Sequence, residues 1–375
     1  MSKRESPTVL FIDDEQEELK PLAKSVSATG MSGCDVAYPG DVDIQLLRDA
    51  DLVIVDYNLD KWIQDVDTSN PSLVPSNGIA LCAVLREFYR QPALTHAPPT
   101  GFALITGNPE SVFSTPGERR SHVVARLSNL EWYFEKHANH EANVQRIVSL
   151  AMAIHSLPSN LSTEIVGLGT LMNLLGVLET DPLYDRYSES VSYCRPPIHH
   201  LSKESGGLVL LRWLLHRILP HTCFLLSQTE LAARLRVLPE SLKQELSERS
   251  RFVELLEPYL YKGLLSNFDG LRWWRGGIEQ FLWDITEGES MDTKALRDAM
   301  ESVRASLLRP ISVVRPVVTI DDTFTMESEL SSFDDVVALH LDDWPSYAEP
   351  AYLRRGLLES HPELKLFVVP NQGFN

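Results

Sequence analysis

Two short, wholly apolar runs that each stop on a carboxylate constrain this chain more than any other feature. Val9-Leu10-Phe11-Ile12 runs into Asp13 and Asp14, and Leu52-Val53-Ile54-Val55 runs into Asp56. A strand with apolar residues on both faces is covered on both faces, which is the situation of a strand inside a parallel sheet flanked by helices. The pattern continues. Asp35 to Tyr38, Phe102 to Thr106 and Trp132 to Phe134 read as further strands. Between them lie amphipathic stretches at Glu17–Val26, Ile44–Leu47 and Gly78–Tyr89, and Ala142–Ile154 closes the series. Strands alternating with helices over residues 1–155 predict an α/β, doubly wound, flavodoxin-like parallel sheet.

In such a sheet, ligands gather beyond the carboxyl ends of the strands. Asp13 and Asp14 end the first strand, Asp56 the third and Thr106 the fourth, while Lys136 follows the fifth. Three carboxylates brought together repel one another, and a divalent cation relieves that repulsion. An oxygen-only donor set suits Mg2+, which also shares oxygens with phosphate. Asp56 is then the candidate nucleophile, able to carry an acyl phosphate. Lys136 supplies positive charge and Thr106 a hydrogen bond to a phosphoryl oxygen, which is most of what phosphoryl transfer asks of a protein.

Four segments resemble the receiver domains of two-component response regulators. These are Val9 to Glu15, Asp51 to Asp56, Leu104-Ile105-Thr106-Gly107 and Tyr133-Phe134-Glu135-Lys136. The resemblance covers about the first 155 residues and implies a CheY-like fold with Asp56 as phosphoacceptor. It further implies Asp14 and Asp56 as direct Mg2+ ligands, Asp13 through water, and the backbone carbonyl of Asn58 as the remaining protein ligand. Thr106 and Tyr133 take the place of the switch pair, so that phosphorylation draws Thr106 inward and opens space for Tyr133 to turn inward. A sensor histidine kinase or another phosphodonor is the implied partner. The sequence departs from the pattern in three places. Gly78 arrives 22 residues after Asp56, so Lys61 to Pro75 looks inserted. The stretch Pro109 to Ser121 is long, and no clear fourth helix shows there. Lys136 is followed by His137 where proline is usual.

Residues 156–202, punctuated by prolines, read as a linker with one helix. Residues 203–315 read as a mainly helical output domain, and residues 316–375 as a small α/β tail or the completion of that domain. In the tail, strands are expected at Val317–Ile320, Val336–Leu339 and Leu366–Val369, with a helix over Tyr352–Leu358. Phe224 to Leu242 looks like a helix-turn-helix: Ser227 and Glu230 have capping-box spacing, and Pro239 suits the first turn of the second helix. Arg234, Arg236, Lys243 and Arg249 are its candidate phosphate contacts, although Arg236 stands at the turn position that usually holds glycine. His199, His200, His216 and His221 lack metal-site spacing. Trp273-Trp274 suits core packing better than an exposed anchor. The acid pairs Asp321-Asp322, Asp334-Asp335 and Asp342-Asp343 suit strand ends and caps better than catalysis.

The chain of 375 residues has a net charge of -18, and the excess lies in residues 1–155 and in the tail, leaving 203–315 near neutral. That balance opposes non-specific contact with a phosphate backbone, so DNA is a possible but disfavoured partner, and only for the middle block. With 43% hydrophobic and 23% charged residues, the composition is that of a globular chain. No run is long enough to cross a bilayer, and the first residues carry no apolar leader. Four scattered cysteines read as reduced thiols. The expectation is a cytoplasmic phosphorelay protein that works through a downstream protein partner, with a homodimer possible. A DNA-binding regulator is the first alternative, and an effector enzyme with an unidentified C-terminal site the second.

Overall fold

The computed structural model describes residues 6–30, 33–64, 74–75, 77–89, 99–112, 119–158, 167–200, 206–248, 250–303, 305, 307–341, 344–345 and 347–369. The chain divides into two compact units, residues 1–166 with 197–215, and residues 167–196 with 216–375.

The first unit is built on strands β1 (Thr8–Ile12), β2 (Gly33–Ala37), β3 (Leu52–Asp56), β4 (Gly101–Thr106) and β5 (Trp132–Glu135). They form one parallel sheet in the order β2-β1-β3-β4-β5. This order defines a flavodoxin-like sheet, with its switch point between β1 and β3, where the chain leaving β2 crosses over β1. All of β1, β3 and β4 is buried, as their unbroken apolar sequences require. Helices α1 (Gln16–Ser27), α2 (Ile44–Asp49), α3 (Asp60–Gln64), α4 (Gly78–Phe88), α5 (Pro109–Val112), α6 (Arg119–Leu127) and α7 (His140–Ser156) connect and flank the strands. Asp43, Asn77 and Asn139 cap α2, α4 and α7 through their side-chain oxygens, each supplying an acceptor for amides with no partner inside the helix. Helix α7 buries Ile147, Leu150, Ala151 and Ile154, the i, i+3, i+4, i+7 stripe of a core-facing helix.

Helix α6 corrects the expectation that no fourth helix lies in this part of the chain. It begins inside the stretch read as featureless and runs on to Leu127, burying Val124 and Ala125. The core of the inserted segment, residues 65–73, and residues 113–118 of the second long stretch lie outside the described residues.

The second unit begins with α8 (Leu168–Leu174) and α9 (Tyr184–Tyr193), so the described residues of the stretch read as a linker with one helix hold two α-helices. Helix α10 (Gly206–Trp213) belongs to the first unit, where it packs on α7. The second unit continues with a two-stranded ribbon, β6 (Leu225–Leu226) with β7 (Trp273–Trp274), and with helices α11 (Gln228–Leu235), α12 (Pro239–Ser247), α13 (Arg251–Leu256), α14 (Arg275–Ile285) and α15 (Thr293–Ser302). Trp274 stacks on Tyr187 with ring centroids 4.5 Å apart, and both tryptophans are buried. They serve the core.

The tail forms a four-stranded mixed sheet in the order β10-β11-β8-β9, from β8 (Pro316–Ile320), β9 (Met326–Ser332), β10 (Val336–Leu339) and β11 (Ala351–Arg354), followed by α16 (Arg355–Ser360). Two expectations change here. Tyr352 to Arg354 is strand, and the helix starts only at Arg355. The last expected strand is instead a 3-10 turn over Pro362–Phe367, with Val368 alone bridging to Leu339. The acid pairs serve this architecture. One Asp321 oxygen accepts from Thr323 N, Thr323 Oγ1 and Thr325 N at 2.7–2.9 Å, and Asp334 pairs with Arg315. Asp342 and Asp343 lie outside the described residues.

At the seam between β3 and α4, Gly78 sits directly on the end of the strand. A Cβ there would lie 2.1 Å from the Asp56 carbonyl oxygen and 2.9 Å from a Leu104 methyl. Backbone cannot yield by that much, so Gly78→Ala is expected to destabilise the fold by about 1–3 kcal/mol. Urea unfolding followed by far-ultraviolet circular dichroism measures this, and an unchanged midpoint would contradict the seam as described.

Candidate functional site

The carboxyl ends of β1 and β3 bring Asp13, Asp14 and Asp56 together, each offering a carboxylate oxygen within 4.8 Å of the others. Asp13 and Asp56 are buried and Asp14 is half-buried. Lys136, just past β5, reaches across to them. Its Nζ lies 3.1 Å from Asp13 Oδ2, 3.2 Å from Asp56 Oδ2 and 2.9 Å from Glu18 Oε2. Its backbone N–H donates to the Thr106 carbonyl at 2.7 Å, which ties the lysine to the end of β4. The hydroxyl oxygen of buried Thr106 accepts from Asn108 N at 3.1 Å. Asn58 lies exposed in the loop two residues past Asp56.

Two features of this site had no reading from sequence. Glu18 is one. It lies four residues after Asp14, in the first turns of α1, and that one-turn spacing behind the acid pair was the available signal. The second is the use made of Asp14. Its Oδ2 accepts from Lys61 N at 2.7 Å and Trp62 N at 3.0 Å, so it caps the start of α3. Lys61 Nζ in turn meets Glu15 at 2.5 Å. Asp13 Oδ1 accepts from Glu15 N at 2.7 Å, and Tyr57 N donates to Asp56 Oδ1 at 2.9 Å.

Electrostatics follow from burial. The Asp56 carboxyl is pushed up to about 7, chiefly by desolvation and further by the Asp13 charge, with Lys136 opposing both. Asp13 is raised as well, again first by burial. Burial works against the Lys136 ammonium, but Asp56, Glu18 and Asp13 outweigh it, and its pKa rises. Glu18 is lowered by its hydrogen bond to Lys136. Hard carboxylate oxygens, closely spaced and with negative charge in excess of one lysine, fit a small divalent cation.

The Tyr133 ring is fully buried, in the core cluster that includes Leu104 and Val53. His137 packs by Gly107: a Cβ added to that glycine would lie 3.2 Å from the His137 Nε2.

The helix-turn-helix segment forms as α11 and α12, with the Ser227–Glu230 capping box in place. Arg236 takes the left-handed turn conformation, φ 56°, that glycine would take at no steric cost. Its guanidinium is used inside the unit, donating to the Met291 carbonyl at 2.8 Å and to Thr293. Arg234 pairs with Glu349. Lys243 is exposed on α12, and Arg249 lies outside the described residues. His216 and His221 are buried, the latter edge-on to Trp344 at 4.4 Å, and His199 is exposed. Cys82, Cys194 and Cys223 are buried and Cys34 is half-buried, and no disulfide joins them.

A scan against protein-family models finds no match, and a search of curated proteins finds none. Solved structures similar to this chain are response regulators and their receiver domains. A CheY-like receiver domain protein from Methanospirillum hungatei is 14% identical, covering 38% of this chain and 90% of its own, with a TM-score of 0.25. A Burkholderia pseudomallei response regulator, with a phosphorylated aspartic acid and a calcium ion in its crystal structure, is 14% identical over 56% of this chain and 98% of its own, TM-score 0.24. The Thermotoga maritima response regulator DrrB is 15% identical over 50% of this chain and 87% of its own, TM-score 0.26. The strand order β2-β1-β3-β4-β5 gives the N-terminal unit a flavodoxin-like fold. Among the described residues, no helix is long and apolar enough to cross a membrane.

The raised pKa of Asp56 gives a pH dependence with a definite sign. Its carboxyl holds a proton more tightly in the fold than at its ordinary value of 3.8. The fold therefore binds more protons than the unfolded chain between that value and about 7, and the cation-free fold loses stability as pH rises through this window. A divalent cation must displace the same proton, so Mg2+ affinity is expected to fall by about tenfold per pH unit below 7. Isothermal titration at pH 6 and pH 8 measures it; equal affinities at the two values would show that Asp56 does not take part in binding.

Proposed function

We propose that this chain is a response-regulator-like signalling protein that accepts a phosphoryl group on Asp56 and passes the change to its C-terminal region, which acts through protein contacts. The observation that carries this reading is the position of the Lys136 ammonium, 3.1 Å and 3.2 Å from the carboxylates of Asp13 and Asp56 at one edge of the sheet.

The chemistry needs few parts. One Asp56 oxygen attacks the phosphorus of a phosphohistidine or a small phosphodonor. The bond from phosphorus to the donor nitrogen or oxygen breaks, and an acyl phosphate remains. Lys136 faces the charge on the incoming group, and the Thr106 hydroxyl, which now accepts from Asn108 N, has its own proton to donate to a phosphoryl oxygen. Asp13, Asp14 and Asp56 would hold Mg2+, with the Asn58 carbonyl added by resemblance, and the cation supplies charge neutralisation. A movement of Thr106 would be felt first by Gly107 and Asn108, and by Lys136 through its backbone bond to the Thr106 carbonyl. Tyr133 then acts as a buried support beneath that edge. A sensor kinase fits as phosphodonor. DNA contact is left out of the proposal because two of its three described candidate residues, Arg234 and Arg236, are engaged within their own unit, and because α12 exposes Glu240 three residues before Lys243.

Incubating the full chain with acetyl phosphate and Mg2+, followed by intact mass spectrometry, is expected to show one added phosphoryl group. Asp56→Asn should abolish it. Lys136→Ala, which leaves Asp13 and Asp56 without their shared cation, should slow labelling by about a hundredfold. No adduct on the wild type, or an equal one on Asp56→Asn, would end the proposal.

A further inference from the structure

The second unit contains a cavity of about 460 Å³ lined by residues of α11, α14, β8, β9, β11 and the segment leading into β11. That volume lies in the range of small-molecule sites. Its walls are apolar for the most part, with Leu282, Val317 and Val318 beside the rings of Phe333, Trp344 and Tyr352. One end is charged. The Arg234 guanidinium reaches it from α11, and the Glu349 carboxylate lies against that guanidinium and 3.4 Å from Arg275 Nη2.

The other charges near the cavity are committed elsewhere. Glu230 accepts from Ser227 N and from the Thr222 hydroxyl as part of the α11 cap. Glu279 is shared by Arg275 at 3.0 Å and Arg186 at 2.9 Å. Arg236 bonds Met291 and Thr293, and Arg315 pairs with Asp334. Arg234 faces the cavity, and its partner there is the Glu349 carboxylate. A guanidinium is shaped to take a carboxylate in two parallel bonds.

We propose that this cavity binds a small organic carboxylate with a flat apolar body, its carboxylate seated on Arg234 where the Glu349 side chain now lies. Glu349 acts as a built-in occupant. It is carried by a short segment that is fastened by Trp344 Nε1 donating to the Glu349 carbonyl at 2.6 Å and by Glu349 N donating to the Thr222 carbonyl at 2.9 Å. When its side chain yields Arg234, it still has Arg275, so the exchange strands no charge. The three glutamates around the cavity disfavour a dianion such as a phosphate monoester, and a planar monoanion is what Glu349 already shows to fit. The apolar walls call for an apolar body, which three aromatic rings can sandwich.

Titration calorimetry on the full chain, with phenylacetate, benzoate and indole-3-acetate as probes and their amides as controls, tests this. At least one carboxylate is expected to saturate the wild type, with its amide at least tenfold weaker. Glu349→Gln, which removes the internal competitor, should tighten binding about tenfold. Arg234→Lys should weaken it at least tenfold, and Val318→Phe, which fills the cavity and leaves every charge in place, should abolish it. Thermal melting of each variant separates lost binding from lost folding, and Glu349→Gln gives a gain that misfolding cannot mimic. No saturable heat from any of the three carboxylates with either the wild type or Glu349→Gln would overturn the proposal. So would binding unchanged by both Arg234→Lys and Val318→Phe.

Discussion

The Lys136 ammonium is what the N-terminal site depends on. Burying Asp13 and Asp56 side by side is unfavourable unless their charge is matched, and one lysine from the far end of β5 does the matching for both. It also draws in Glu18 from α1, so a single nitrogen holds carboxylates from two strands and a helix. The match is incomplete. Asp14 adds a third carboxylate to the group that a cation could share, and Asp56 titrates near neutrality because burial outweighs the help it receives. At a site left short of positive charge in this way a cation would relieve the repulsion, and a group whose pKa lies near 7 is one whose charge the surroundings can set.

The two edges of the sheet show how such a site differs from structural use of the same residue types. At the amino end, Asp51 accepts from Thr8 N at 2.8 Å and meets His155 Nδ1 at 3.1 Å. Glu131, fully buried, accepts from Phe102 N and from Arg212 Nε at 2.9 Å. Each acid there has its own donors, and the arrangement fastens strand ends to α7 and α10. At the carboxyl end, three acids share one lysine and a handful of backbone amides. The ratio of donors to carboxylates, more than the presence of acids, separates the edge suited to chemistry from the edge that holds the fold.

What the sequence made legible was the part written in burial. The runs ending on Asp14, Asp56 and Thr106 needed cover on both faces, and that requirement pointed to the parallel sheet at the centre of the first unit. Helix α6 was hidden because its sequence, Arg-Arg-Ser-His-Val-Val-Ala-Arg-Leu, is mostly polar, and among its described side chains only Val124 and Ala125 are buried. Strand β11 was hidden for the opposite reason. Leu353 falls in helical spacing with Leu357, and pairing with β10 on one side and β8 on the other holds Tyr352 and Leu353 in the sheet. In β9, Met-Glu-Ser-Glu-Leu-Ser-Ser is poor in strand-forming residues, and its partner β8 sets its conformation. Within the site, the acids and the lysine could be read from their strand ends. The role of Asp14 as a helix cap could not, because it joins residues 47 positions apart.

That cap bears on the segment inserted after β3. The insertion leaves the sheet at Asp56 and is fixed at once, because Asp14 holds the first amides of α3 and Lys61 holds Glu15. It returns at Gly78, whose amide donates to the Tyr57 carbonyl at 2.9 Å and whose missing side chain lets α4 start hard against Asp56. Both ends of the added chain are therefore anchored on the residues that form the acidic group or on their immediate neighbours. Extra length placed elsewhere would be a surface decoration with no purchase on the site. Placed here, any change in how Asp14 or Asp56 shares its oxygens acts directly on the two points where the insertion is tied down.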